Sequence, residues 1–130
     1  MKRTVLSIED DLVFADILGK TLESAGFAVI KVGNGDDGLK RAKSDHPDAI
    51  LSDIGLPRKD GFELLEELKA LPETSSIPVF MLSRLSSRED VQRCFALGCT
   101  DYLIKTQHHP EDVVRRLVRY FDEQDEVVSR

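Results

Sequence analysis

The chain has 130 residues, of which 41% are hydrophobic and 32% charged, and a chain of this size and composition can form one globular domain with its own core. Its net charge of −6 argues against a nucleic acid as a direct ligand, and no apolar run approaches the roughly 20 residues of a membrane span. The first residues lack the pattern of a signal peptide, so we expect a cytoplasmic protein without a membrane partner.

Five apolar runs of strand length alternate along the chain with five segments of helical period. The predicted strands cover residues 4–8, 28–32, 49–53, 78–82 and 102–104. The predicted helices cover residues 12–25, 36–44, 61–71, a fourth segment that ends at Gly98, and residues 110–121.

The fourth predicted helix has a start signal of its own. Ser86 and Glu89 have the Ser-x-x-Glu spacing of a capping box, and we expect Cys94 and Phe95 on the buried side of the helix. Cys94 and Cys99 have no His or Cys at metal spacing, so we interpret them as free thiols. The adjacent His108 and His109 are interpreted as solvated loop residues.

Strands that are separated by helices must pair in parallel, and right-handed crossovers then place helices on both faces of the sheet. The predicted fold class is therefore α/β: a doubly wound, five-stranded parallel sheet of order 2-1-3-4-5 with five helices. In such a sheet, ligands bind at the carboxyl ends of the strands.

Polar side chains follow four of the five predicted strands. Glu9 and Asp10 follow the first strand, Asp53 ends the third, and Ser83 and Lys105 follow the fourth and fifth. Converging carboxylates repel one another, and a hard cation such as Mg²⁺ relieves the repulsion. Together these residues predict a phosphoryl site in which one carboxylate is the nucleophile, Mg²⁺ neutralises charge, and Lys105 and Ser83 hold phosphate oxygens.

Four segments of the chain carry a family resemblance: VLSIEDD, LSDIGLPRKDGFELL, IPVFMLS and GCTDYLIK. In this order and at these separations, they resemble the receiver domains of two-component response regulators, including the single-domain chemotaxis regulators. The resemblance implies a flavodoxin-like fold, and a histidine kinase or histidine phosphotransfer protein as the phosphoryl donor. It implies the following residue roles: Asp53 as phosphoacceptor, Glu9, Asp10, Asp53 and the carbonyl of Gly55 as Mg²⁺ ligands, Ser83 and Lys105 as phosphate-binding residues, and Tyr102 as the aromatic that changes rotamer with Ser83.

The sequence departs from the family pattern at two positions beside the site. Arg84 stands where a small residue is usual, and it could bind the phosphate, cover it or slow its hydrolysis. Thr106 stands where a proline usually follows the lysine, which predicts a different position for Lys105. Glu9 is an accepted variant of the usual aspartate.

By the same resemblance, residues 1–122 form the receiver domain and residues 123–130 a short acidic tail. The surface of helix four, strand five and helix five would control a downstream protein target or form a homodimer. The domain would catalyse only its own phosphorylation and dephosphorylation.

Two alternatives stay open. The first is a pseudo-receiver that binds proteins without phosphorylation. The second is a small phosphohydrolase, which Gly55 disfavours because such enzymes place a second aspartate there. Whether the chain is a receiver cut from a longer protein is also open.

Overall fold

The computed structural model describes residues 2–84 and 87–129, with side chains up to residue 127. Strands and helices alternate along the chain without exception. The strands are β1 (Thr4–Ile8), β2 (Ala28–Val32), β3 (Ala49–Asp53), β4 (Val79–Ser83) and β5 (Asp101–Ile104). The helices are α1 (Leu12–Ser24), α2 (Gly35–Asp45), α3 (Gly61–Ala70), α4 (Arg88–Ala96) and α5 (Pro110–Ser129).

The five strands form one parallel sheet of order β2-β1-β3-β4-β5, which confirms the predicted fold class. Separate apolar clusters cover its two faces. One packs β-strand residues against α2, α3 and α4, with Phe62, Leu65 and Cys94 among its members. The other packs the opposite face against α1 and α5, with Leu18, Leu22 and Leu117 among its members. Burial of both faces explains why the strands are continuously apolar rather than alternating.

The start of α3 packs very closely against the end of β3. A Cβ atom at Gly61 would lie 2.6 Å from the carbonyl oxygen of Asp53 and 2.6 Å from Cα of Ile54. Only glycine fits at this distance. The turn between Asp53 and Gly61 is closed by the Gly61 amide, which donates to the Ile54 carbonyl at 2.8 Å. This close contact holds the loop after β3 in place at the edge of the sheet.

Two predictions about the helices need correction, and a third falls outside the described residues. The predicted cap Ser86 lies outside the described residues, and the cap that the structure describes is Ser87, whose hydroxyl accepts from the Asp90 amide. Phe95 is 47% exposed rather than buried, because α4 turns Cys94, its one fully buried side chain, toward the core. Helix α5 continues to Ser129 instead of ending at about residue 121.

The extension of α5 has contacts that sequence periodicity does not reveal. Arg3, just before β1, forms an ion pair with Asp125 at 2.5 Å, and its guanidinium lies 4.4 Å from the centre of the Phe121 ring. Cys94 and Cys99 are free and buried, as predicted. None of the helices that the structure describes has both the length and the apolar character of a membrane span.

Candidate functional site

The parallel register places the ends of β1, β3, β4 and β5 side by side. Ile8 lies opposite Ser52, Asp53 opposite Leu82, and Ser83 opposite Ile104. The backbone pairing continues one residue further, because the amides of Ile54 and Lys105 donate to the carbonyls of Leu82 and Ser83. The polar residues at these strand ends therefore share one edge of the sheet.

Three carboxylates converge at this edge, as the sequence predicted. Oxygen atoms of Glu9, Asp10 and Asp53 lie within 4.8 Å of one another. Glu9 is buried, Asp53 half-buried and Asp10 exposed. Hard oxygen donors at such distances fit Mg²⁺, which takes a few carboxylates and completes its shell with water, carbonyl or phosphate oxygens. Gly55 lines the same cavity, and the role of its carbonyl as an additional donor stays a prediction.

Asp11, the third acid of the Glu-Asp-Asp run, caps a helix and is not part of this cluster. Its side chain accepts from the amides of Val13 at 3.1 Å and Phe14 at 3.2 Å, so it caps the start of α1. It lines the cavity but does not belong to the cluster of three carboxylates. This makes Asp11 a useful control residue for experiments on the neighbouring acids.

Lys105 reaches across the sheet edge to the acids. Its ammonium group contacts the carboxylate of Glu9 and lies 3.2 Å from Oδ2 of Asp53, and the lysine side chain is 10% exposed. The same nitrogen lies 4.4 Å from the centre of the Phe14 ring, within the range of a cation–π contact. The Lys105–Thr106 peptide bond is trans, so Lys105 reaches the acids without the proline that is usual in the family.

Burial dominates the electrostatics of Glu9. Removal from water raises the pKa of its carboxyl above the usual value, the hydrogen bond from Lys105 opposes this shift, and the nearby charge of Asp53 adds to it. Glu9 is 2% exposed, so it depends on Lys105 or a bound cation for compensation of its charge.

Ser83 and Tyr102 form a contact below the cavity. Both are buried, at 2% and 8% exposure, on the adjacent strands β4 and β5. Burial raises the pKa of the Tyr102 phenol, and its hydrogen bond with Ser83 acts in the opposite direction. The two residues that we predicted to move together are therefore in direct contact.

A cavity of about 430 Å³ joins these groups. Its lining consists of Glu9, Asp10, Asp11, Asp53, Gly55, Ser83, Arg84 and Lys105. Every predicted site residue except Tyr102 therefore lines one cavity. Arg84 stands at its exposed rim and makes no ion pair with the other residues that the structure describes. A guanidinium that has no carboxylate partner within residues 2–84 and 87–127 can bind an anion that enters the cavity.

Sequence analysis missed two residues that contact the lysine segment. His108, interpreted as a solvated loop residue, is half-buried, and its Nδ1 lies 3.1 Å from both the amide nitrogen and the carbonyl oxygen of Ile104. Phe14 was recognised only as part of the apolar stripe of α1. The only sequence signal for the His108 contact was the spacing of four residues between Ile104 and His108. The contact between Phe14 and Lys105 joins residues that are far apart in the chain, so no local pattern signals it.

A family model for the response regulator receiver domain matches residues 5–118. The chain belongs to the response regulator receiver domain family. Receiver domains are signalling domains of two-component systems, and phosphorylation and Mg²⁺ binding are general properties of the family. The predicted recognition is thus confirmed at the level of the family.

This receiver domain is 36% identical over 115 residues to the DNA-binding dual master transcriptional regulator RpaA of Synechocystis. The match covers 88% of the chain and 46% of RpaA, so the chain spans about half the length of that relative.

Solved structures have the same fold. The receiver domain is similar to the chemotaxis response regulator CheY4 of Vibrio cholerae, with a TM-score of 0.85, 28% identity, and coverage of 92% of this chain and 98% of that one. It is also similar to the receiver domain of the sensor histidine kinase PA1611 of Pseudomonas aeruginosa, with a TM-score of 0.82, 28% identity, and coverage of 92% and 97%. That structure contains a magnesium ion coordinated in the active-site cleft.

Proposed function

We propose that Asp53 accepts a phosphoryl group from a phosphohistidine on a histidine kinase or phosphotransfer protein. The observation that carries the proposal is the position of Asp53, whose carboxylate lies within 4.8 Å of oxygens of the other two acids and 3.2 Å from the ammonium nitrogen of Lys105. An oxygen of Asp53 attacks phosphorus, the phosphorus–nitrogen bond of the donor breaks, and its electron pair returns to the donor imidazole. A cytoplasmic location belongs to the same proposal, because donor and acceptor must meet in one compartment.

Glu9, Asp10, Asp53 and the carbonyl of Gly55 would hold Mg²⁺ in this proposal. The bound ion would neutralise negative charge on the phosphoryl oxygens during transfer. Lys105 then exchanges its contact with the carboxylates for a contact with a phosphoryl oxygen, for which its ammonium group is already placed. The Ser83 hydroxyl, at the floor of the same cavity, donates to a second oxygen.

Signal output would begin at Ser83. A phosphoryl oxygen competes with Tyr102 for the Ser83 hydroxyl, and loss of that hydrogen bond lets the phenol ring change rotamer. The outer surface of α4, β5 and α5 lies beside Tyr102 and carries the exposed Phe95 and an Arg116–Asp101 ion pair at 2.6 Å. An exposed aromatic ring and a charged pair on this surface fit a downstream protein target or a second copy of the chain.

Beryllofluoride, which imitates a phosphoryl group on a carboxylate, tests the proposal. With Mg²⁺ it should shift the backbone amide NMR signals of Asp53, Ser83, Tyr102 and Lys105, and acetyl phosphate should add one phosphoryl group. Asp53→Asn should abolish both responses, because an amide cannot form the acyl phosphate. Asp11→Asn is the matched control, since it changes a carboxylate in the same cavity but keeps a good helix cap. Equal responses of wild type and Asp53→Asn would refute the assignment.

A pseudo-receiver is the second candidate, favoured by the large Arg84 side chain at the rim of the cavity. Such a module would bind its protein partner equally well before and after treatment with beryllofluoride. It would also fail to bind Mg²⁺ at millimolar concentration. Titration of the wild-type protein with Mg²⁺, followed by the amide signal of Asp10, separates the two candidates.

A further inference from the structure

The segment after β5 begins with Lys105 and ends at Pro110, the first residue of α5. Its first turn is closed by backbone bonds, because the amides of Gln107 and His108 both donate to the Ile104 carbonyl at 2.9 Å. The His108 ring folds back over this turn and places Nδ1 3.1 Å from the Ile104 amide nitrogen. The imidazole therefore holds the residue that directly precedes Lys105.

The Ile104 amide needs such a partner. Strand β5 is an edge strand, and the neighbouring Lys105 amide points toward β4, where it donates to Ser83 at 2.8 Å. Successive amides of a strand point in opposite directions, so the Ile104 amide faces the open edge of the sheet. The Ile104 carbonyl already accepts two amides, so the ring nitrogen acts as acceptor for the Ile104 N–H, and the ring proton is assigned to Nε2.

The other end of Lys105 is held from α1. Phe14 is half-buried, packs against the apolar cluster beneath α1 and α5, and presents its ring 4.4 Å from the lysine Nζ. The Asp11 cap holds the Phe14 amide at 3.2 Å. The ring thus gives the ammonium group a fixed, uncharged contact that stays available when a phosphoryl group replaces the carboxylates as the partner of the lysine.

We propose that His108 and Phe14 are positioning residues for Lys105, with His108 fixing its backbone through Ile104 and Phe14 fixing its ammonium group. The consequence rests on the proposed function: a lysine held in place before the phosphoryl group arrives binds it without the entropic cost of ordering a long side chain. Among the residues that the structure describes, neither makes a hydrogen bond or ion pair with the three carboxylates, so each can affect the Mg²⁺ site only through Lys105.

Paired substitutions at position 108 test the backbone contact. The side-chain oxygen of Asn occupies nearly the place of Nδ1, so His108→Asn keeps the acceptor, whereas His108→Leu removes it. Loss of one such hydrogen bond should weaken Mg²⁺-dependent beryllofluoride binding about fivefold in His108→Leu, while His108→Asn stays within about twofold of wild type. His109→Leu is the matched control for loss of a neighbouring imidazole. In the position-108 variants, Mg²⁺ affinity should change less than beryllofluoride affinity, because these variants reach the carboxylates only through Lys105.

Phe14→Leu tests the contact at the ammonium group. Leucine keeps an apolar side chain in the cluster but removes the ring face, so beryllofluoride affinity should fall about threefold, again with a smaller change in Mg²⁺ affinity. A variant that weakened Mg²⁺ and beryllofluoride binding equally would show general damage to the site and would overturn the positioning role of Phe14.

A measurement without phosphate separates this inference from the proposed function. The NMR signal of the Lys105 ammonium group in the metal-free protein should shift or broaden in His108→Leu and Phe14→Leu, and stay unchanged in His108→Asn and His109→Leu. An unchanged signal in His108→Leu and Phe14→Leu overturns the inference, whatever the wild type does with beryllofluoride. A wild type that ignores beryllofluoride refutes the proposed function, and the ammonium signal still decides whether these two residues position the lysine.

Discussion

Glu9 is the residue of the site in which burial and charge conflict most strongly. Its carboxyl is almost fully enclosed, and its only cationic contact among the described residues is Lys105, which it shares with Asp53. Burial therefore raises its pKa despite the ion pair. In the metal-free protein this arrangement costs stability whenever Glu9 is ionised.

The cost should appear as a dependence of stability on pH. The folded-state pKa of Glu9 lies above its usual value of 4.5. The stability that Glu9 contributes to the fold is therefore fully present below pH 4.5 and is lost as the pH rises through the raised pKa. Glu9→Gln stays neutral, so its free energy of unfolding relative to wild type should increase with pH from about 4.5 toward 7. Urea unfolding of both proteins in EDTA measures the difference, and a difference that is constant or decreasing with pH would contradict the prediction.

Arg84 should act on the lifetime of the phosphoryl group. Arg84 lines the cavity, so with Asp53 phosphorylated as proposed, its guanidinium would bind a phosphoryl oxygen and keep water from the phosphorus. Arg84→Ala should therefore lose the phosphoryl group about three- to tenfold faster, the effect of one charge-assisted hydrogen bond. The decay of protein phosphorylated with acetyl phosphate, followed by mass spectrometry, measures this rate. Arg88→Ala, a change outside the cavity, should decay like wild type, and unchanged or slower decay in Arg84→Ala would exclude the shielding role.

At the scale of the elements, α4 is the helix with the weakest attachment to the core. It has nine residues, and Cys94 is its only fully buried side chain. Its start is held by Ser87, which accepts from the Asp90 amide at 3.2 Å and donates to the Asp90 carboxylate at 2.7 Å. A helix with one fully buried side chain opens more readily than a well-buried one, which fits the proposal that this surface changes on phosphorylation.

Removal of this cap should loosen α4 alone. Ser87→Ala should cost about 1 kcal/mol and speed amide exchange in α4 about fivefold, because the Asp90 amide loses its acceptor. Hydrogen exchange followed by NMR gives the rates residue by residue. Ser87→Asp, which keeps a capping oxygen, should exchange like wild type, and an equal acceleration in α1 would point to global unfolding instead.

Helix α5 shows what periodicity cannot predict. Its apolar stripe ends at Phe121, which is why we expected the helix to end there, but the chain stays helical to Ser129. Residues 122–126 are Asp, Glu and Gln, of which Glu and Gln are good helix formers, and Asp125 pairs with Arg3 from the other end of the domain. The division into a receiver domain of residues 1–122 and a tail of residues 123–130 stays a prediction.

For the molecule as a whole, Mg²⁺ should be a stabilising ligand. Binding to the folded state alone raises the free energy of unfolding by about 1.4 kcal/mol for each tenfold increase in concentration above the dissociation constant. The midpoint of thermal unfolding should therefore rise with Mg²⁺, and Asp10→Asn should remove most of the increase by deleting one of the three carboxylates. Asp11→Asn, with the cluster intact, should respond like wild type. A midpoint that is independent of Mg²⁺ in the wild type would refute the site.

The sequence alone determined the five strands, the five helices and the residues at the strand ends, because alternating periods and polar strand ends are local patterns. Parallel pairing then required that Glu9, Asp53, Ser83 and Lys105 meet at one edge. The outward position of Phe95 and the length of α5 were decided by packing and by partners elsewhere in the chain.

The contacts of Lys105 were decided in the same way. The contact between Phe14 and Lys105 joins a residue on α1 to a residue after β5, and the contact between His108 and Ile104 depends on the turn that follows an edge strand. Only the tertiary structure could decide these features, because the free energy of each depends on the three-dimensional position of a partner that no local pattern specifies.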